Sequence, residues 1–379
     1  MTRESSQSTE VGTPENSAVS EVPPPIVRLQ ISAAKKLNLA AFQNAVPALL
    51  ELAVVNDTES QLTELTIHLT SQPAFVKPRT WNLDAVGPGE RYHLSDLDVR
   101  LDGALFSRLT EAEPAVLRFE LRSTKQPDLV LAAHESNVEL LARNQWAGIG
   151  KLPEMVAAFV QPNDPAVDRL LKGAALSLQA VGKPGSIDGY THGPKRAWEL
   201  ASAIWAAVLQ RKLNYSLPPA SFEHSGQKVR SPSHILDSGI ATCFDSTLLF
   251  AACLEQANLN PLLVFTKGHS FAGFWLRSEE FSTAVVDDIT ALRKRLKLQE
   301  LVVFETTLAT QGQTVNFSQA IDNANRQLSE EEEDKFELVI DVKRARMSRI
   351  KPLALAQAVA DVAPLTVEPE TTITIEEAP

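Results

Sequence analysis

The stretch "TCFDSTLLFAACLEQANLNPLLVFTKGHSFAGFWL", Thr242 to Leu276, decides how the second half of the chain folds. It holds both cysteines, Cys243 and Cys253, and one of seven histidines, His269. The preceding "DSGIAT" has no strong helix former, and Gly239 marks a turn. From Phe244 to Gln256 the apolar residues Leu248, Leu249, Ala252 and Cys253 recur at helical spacing. "NLNP" ends the helix, with Asn258 or Asn260 at the C-cap and Pro261 as a stop. Cys243 therefore falls in the first turn of a buried helix, where unpaired N–H groups and the helix dipole stabilise a thiolate. "PLLVF" (Pro261 to Phe265) reads as a buried strand and "TKG" as a turn. "HSFAGFWL" reads as a second strand that His269 opens. A helix packed on an antiparallel sheet can bring the start of that strand to the start of the helix. A base within hydrogen-bond reach is what a nucleophilic cysteine needs.

The plainer reading of Cys243 is a buried small hydrophobe, since free cysteine is among the most buried residue types. Cys253 fits that reading: it lies mid-helix between Ala252 and Leu254. For Cys243 the helix-start position and the downstream histidine favour a nucleophile. The third member of a triad would be a carboxylate that orients the imidazole. Glu305, in "LVVFETT", interrupts an apolar strand, and a buried carboxylate needs a partner. Asp287 and Asp288 are the alternatives, with a competing role as caps of the helix "ITALRKRL". Glu305 is preferred. The backbone N–H of Cys243 would be one oxyanion donor. Gln227, in "GQKVR", is a candidate for a second, against its reading as a surface glutamine.

Downstream, "SEEEEDKFELVIDVKRAR" opens with Ser329 and Glu332 at capping-box spacing. The acidic run reads as the solvated first turn of a helix. Upstream, Asn163 or Asp164 caps a helix that begins at Pro165. "GPKRAWELASAIWAAVLQRKL" places Trp198, Ile204, Trp205 and Leu209 on the buried face of another. Between that helix and Cys243 lies a Pro-, Ser- and Gly-rich connector containing His224 and His234, which read as surface residues, as does His192.

Residues 25–143 behave differently. Leu65, Ile67 and Leu69 alternate with Glu64, Thr66 and His68, and Leu117, Phe119 and Leu121 alternate with Arg118, Glu120 and Arg122. A period of two marks sheets with one wet face. Several short strands between frequent turns predict a β-sandwich of immunoglobulin-like type. The pattern changes near "ARNQWAGIG", Ala142 to Gly150.

The composition is that of a globular protein: 379 residues, 44% hydrophobic and 22% charged, enough for two or three domains. No apolar run approaches the roughly 18–20 residues of a membrane span. The N-terminus has no apolar signal-type stretch, so a cytoplasmic protein is expected. Of the net charge of −11, residues 1–24 hold −3 (one Arg against four acidic residues). Residues 353–379 hold −5 (five acidic residues, no base), leaving −3 for the body. Both ends read as disordered acidic tails, the second as a tail or linker. No basic groove is evident, so direct nucleic-acid binding is not expected. The chain has no CxxC and no HExxH, and neither a metal nor another cofactor is implied.

The series "TCFDSTLLFAACLEQANLNPLLV", "GHSFAGFWL" and "LVVFETT", over about residues 205–310, resembles the transglutaminase-like superfamily of papain-like cysteine enzymes. In that pattern a Cys opens a helix, often with Asp two residues later. A His opens a strand, and an acid follows in a D-P-T-like context. Cys243, Asp245 and His269 match. Glu305 and Thr307 match with Glu for Asp and Thr306 for Pro, and Ser270 and Phe271 stand where a small residue and an aromatic are common. The resemblance implies Asp245 and Tyr190, of "DGYTHG", as support around the cleft.

"FVQPNDPAV", "YSLPPASFEHSGQKVRSP" and "IDVKRARMSRIKPL" also look similar to an N-terminal module of large bacterial proteins. There a region of unknown function, a superfamily 1 helicase and a Vsr-like endonuclease follow, and such proteins look like components of defence against foreign DNA. This chain has no GxxxxGK[ST]. A helicase or nuclease partner, or further C-terminal domains, is implied by the resemblance alone, as is a protein or peptide substrate. The expected class is thus α+β. Residues 25–146 form the β-sandwich and residues 147–352 a transglutaminase-like domain acting as amide hydrolase or acyltransferase (protease, deamidase or transglutaminase-like). The alternative is a catalytically silent scaffold or adaptor for protein partners.

Overall fold

The period-two segments form two layers of sheet around one core. In this computed structural model, which describes residues 26–312 and 315–354, a five-stranded sheet runs in the order Lys36–Leu37, Gln126–Leu140, Glu113–Ser123, Leu62–Gln72, Arg79–Val86. Its pairs are antiparallel except for the short parallel first one. A three-stranded antiparallel sheet, Val27–Ala33, Leu49–Asn56 and Arg91–His93, covers it. Leu29, Leu52 and Val54 from the small sheet share an apolar cluster with Leu65, Ile67, Phe119 and Leu121 from the large one. Glu64, Thr66 and His68 stay outside that core, as the alternation predicts.

The second half forms a separate core around a different sheet. Its order is Val285–Val286, Phe336–Asp341, Pro261–Thr266, His269–Trp275, Leu301–Phe304, antiparallel throughout. Both faces are covered. Leu263 and Phe265 pack toward the helix Cys243–Gln256, while Leu262 and Val264 pack with Ile289, Leu292 and Ala324 on the opposite side. Burial on both faces is why "PLLVF" and "HSFAGFW" are continuously apolar rather than alternating. The helix Cys243–Gln256 is apolar nearly all round because the sheet covers one side and the helices Pro165–Ala180 and Gly193–Leu209 the other. Trp198 and Trp205 are core residues, stacked among Phe250, Phe304 and Phe317. Asp164 and Asp288 are the caps of their helices.

Three sequence readings change. The segment after Ser329 is not one helix. Glu330–Lys335 is a short 3-10 turn without a side-chain cap, Phe336–Asp341 is an interior strand, and Val342–Met347 is a two-turn helix. Burial of Leu338 to Asp341 between two strands outweighs the helical spacing of the charges around them. Trp146, at the end of the first span, belongs to the second core, where it packs on Phe244 and Phe265 at ring distances of 4.7 and 5.4 Å. Leu353 is also buried there, its N–H bonded to Ala158 O, so the body extends past residue 352. The remaining tail readings, residues 1–24 and 355–379, lie outside the described residues. Among the described residues no helix is long and apolar enough to cross a membrane.

Candidate active site

Thr242 is the N-cap of the buried helix and Cys243 its first residue. Thr242 Oγ1 accepts from Asp245 N at 3.1 Å, and Asp245 Oδ2 accepts from Thr242 N at 3.0 Å, which closes a capping box. Asp245 is fully buried, and its carboxylate also takes Arg230 N at 2.9 Å and Arg230 Nη1 at 2.7 Å. Asp245 thus ties the helix start to the connector, and its carboxylate bonds are all to these groups. Under Cys243 the hydroxyls of Ser246 and Thr247 donate to Cys243 O at 2.9 and 2.8 Å. The same hydroxyls reach Thr306 at 3.1 Å and Ser270 at 3.3 Å. Ser270 and Thr306 flank the two partners described next, so this buried hydroxyl network holds three segments in one place.

His269 opens its strand, paired across the turn with Thr266. Glu305 follows the neighbouring strand, which pairs Phe304 with Ala272 and so carries Glu305 toward His269. His269 Nε2 lies 2.7 Å from Glu305 Oε2, which also accepts from Gln327 Nε2 at 2.5 Å. Glu305 Oε1 accepts from Thr307 N at 2.9 Å and Thr307 Oγ1 at 2.8 Å. The buried carboxylate therefore has two donors on each oxygen. Burial pushes Glu305 up, but its hydrogen bond to His269, the charge there and then Thr307 outweigh this and hold it below the ordinary carboxylate value. Burial likewise pushes His269 down. Its hydrogen bonds to Cys243 and Glu305, and their charges, overcome that and raise the imidazole to about 10. With Nε2 committed to Glu305, Nδ1 is left for the sulfur.

Asp287 and Asp288 take no part. Both are exposed, and Asp288 accepts from Thr290 N as a helix cap. Of the three, Glu305 is the one hydrogen-bonded to His269.

Gln227 is not a surface residue. It is 4% exposed, on a short strand paired with Gln145–Trp146, directly opposite Trp146. Its Nε2 lies 3.3 Å from Thr242 Oγ1 and its Oε1 has no partner among the described residues. Its amide nitrogen thus sits at the helix start beside the N-cap of Cys243's helix. Trp146, locked against Phe244, positions it. Gly226 makes the pairing possible: its φ is +84°, and a Cβ there would meet Trp146 O at 2.1 Å.

Tyr190 does not line this cleft. Its hydroxyl donates to Trp275 O at 2.9 Å and accepts from Asn260 N at 2.8 Å. Trp275 ends the strand that His269 begins, about 20 Å away at some 3.3 Å per residue. Tyr190 instead fastens the far end of that strand.

Two residues at the site escaped the sequence reading. Gln327, from the last turn of the helix Phe317–Gln327, holds Glu305. Tyr215 lies on a two-residue strand whose parallel partner is Ile240–Ala241. Its hydroxyl neighbours Cys243. Burial first, and then the neighbouring Cys243 and Glu305, raise it above the ordinary tyrosine value. Cys243 is fully buried beneath it. A helical glutamine and a loop tyrosine carry no local signal of such roles. Cys253 is buried core, its thiol pushed up by burial. Among the described residues no group of three or more His, Cys, Asp or Glu could hold a metal ion.

No protein-family model matches this chain, and a search of curated proteins finds no significant match.

Proposed function

We propose that the protein is a cysteine-dependent amide hydrolase or acyltransferase of the transglutaminase-like, papain-like kind, with an immunoglobulin-like β-sandwich before the enzymatic domain. The observation that carries this reading is the gathering of Cys243, His269 and Glu305, in which the imidazole is bonded to a fully satisfied carboxylate 2.7 Å away and has the helix-start cysteine among the neighbours that raise it. A cation beside a sulfur at a helix start favours the nucleophilic thiolate. The thiolate attacks the amide carbonyl, and the oxygen takes the negative charge. That oxygen would be met by the Cys243 N–H, which makes no hydrogen bond among the described residues, and by the Gln227 amide. His269 gives its proton to the departing amine, leaving a thioester and a neutral imidazole. The imidazole then takes a proton from water, or from an acceptor amine, as that group displaces Cys243. Glu305 keeps the ring oriented throughout. Water as acceptor gives hydrolysis or deamidation, and an amine gives transamidation.

The second reading, a catalytically silent scaffold for a helicase- or nuclease-containing partner, rests on one observation: Cys243 is fully buried. Alkylation separates the two. Iodoacetamide labelling of the folded protein across pH, with the labelled residue located by mass spectrometry, is expected to modify Cys243 well ahead of Cys253. Below the ordinary thiol range of about 8.5, the reaction should depend on His269. A Cys243 as slow as Cys253, and indifferent to His269→Ala, would turn the search to binding partners.

A further inference from the structure

A recess of about 390 Å³ has His269 in its wall, and its charge is one-sided. Lys267, Arg326 and Lys335 line it together with His269 and Gln327, and Glu332 is its one carboxylate. Glu332 is already engaged by Lys335. Lys267 and Arg326 are exposed and have no ion-pair partner among the described residues. The backbone holds two of the cations side by side: Lys267 N donates to Lys335 O at 2.8 Å, where two neighbouring strands meet the turn before His269. The chain as a whole carries −11, so a cationic patch at this point is not a property of its surface in general.

We propose that this recess binds the acidic leaving-group side of a peptide substrate. The inference rests on the amide chemistry proposed above. His269 delivers its proton to the departing amine, so the departing chain must pass along the imidazole. The recess has His269 in its wall and not Cys243. It is continuous with the triad through Gln327, whose amide is bonded to Glu305. Asp or Glu residues following the scissile amide would meet Lys267 and Arg326 as they leave the site. A basic leaving segment would meet two uncompensated cations and be rejected.

The test is fluorescence anisotropy of fluorescein-labelled Glu-rich and Lys-rich peptides of equal length on the full chain carrying Cys243→Ala. The comparison protein carries Lys267→Glu and Arg326→Glu in addition. Both sites are exposed, and circular dichroism and thermal melting check that the fold is retained. The Glu-rich peptide is expected to bind, to weaken about tenfold or more on charge reversal, and to weaken at roughly 1 M salt, while the Lys-rich peptide gains on the reversed protein. Equal binding of the two peptides, no binding of the Glu-rich one, or indifference to charge reversal would overturn the proposal. Cys243 alkylation is measured on the otherwise unaltered protein in parallel. A discriminating recess beside an unreactive Cys243 would overturn the leaving-group assignment together with the amide chemistry, and leave an acidic-peptide site. A reactive Cys243 beside an indifferent recess would overturn the recess alone.

Discussion

His269 Nε2 and Glu305 Oε2 lie 2.7 Å apart, although 36 residues separate them in sequence. The link has a pH signature whose sign follows from the two shifts. His269 is raised on folding, so its contribution to stability is complete below the free-histidine value of 6.5 and is lost as pH rises toward about 10. Glu305 is lowered, so its contribution is complete above the free value of 4.5 and is lost as pH falls below it. Both are complete only between 4.5 and 6.5. The stability difference between the wild-type chain and Glu305→Gln, from urea unfolding at several pH values, should peak in that window and shrink on either side. A difference independent of pH would contradict the pairing.

Tyr215 should act as a cover over the sulfur. Tyr215→Phe removes the hydroxyl beside Cys243, and Tyr215→Ala removes the ring as well. Iodoacetamide should label Cys243 faster in the order wild type, Phe, Ala, with Cys253 unchanged as an internal reference. Labelling of both cysteines together would show loosening of the whole core instead.

Asp245 should prove more important to stability than Arg230. Asp245→Ala leaves Thr242 N, Arg230 N and the Arg230 guanidinium without their acceptor at a fully buried position. A loss of about 3 kcal/mol is expected, at the low end for a broken buried pair because Arg230 is partly open to water. Arg230→Ala should cost about 1 kcal/mol, since the remaining carboxylate keeps its backbone donors. Denaturant midpoints of the two variants check the order.

Gly226 and Gly239 both have left-handed backbone, and substitution should separate strain from crowding. Gly239→Ala, at φ +67° with nothing within 4 Å of the new Cβ, should cost about 1 kcal/mol. Gly226→Ala adds a clash with the Trp146 carbonyl and should cost several times more. It should also displace Gln227 from the helix start. Thermal melting of the two variants gives the comparison.

Much of this site was legible locally. A cysteine in the first turn of a helix and a histidine opening a strand after a turn are readable because helix starts and turns depend on a few neighbouring residues; Glu305, read within the strand "LVVFETT", instead follows a strand that ends at Phe304 and caps a 3-10 turn. Glu305 could be preferred over Asp288 because a buried carboxylate in an apolar run demands a partner, whereas Asp288 already had a helix to cap. The helix reading of residues 329–346 failed for the complementary reason: "FELVID" is drawn into the sheet by the strands on either side of it, and its own spacing carries no trace of them.

The sequence by itself determined the α+β pattern and the positions of Cys243 at a helix start and His269 at a strand start. The tertiary structure alone decided what surrounds them. It buried Gln227 opposite Trp146, brought Tyr215 over the sulfur and Gln327 onto Glu305, and sent Tyr190 to the far end of the His269 strand. Periodicity and capping are short-range properties written in adjacent residues. Strand order and the crossing of distant loops follow from how the whole chain buries its apolar surface, and no local stretch records that.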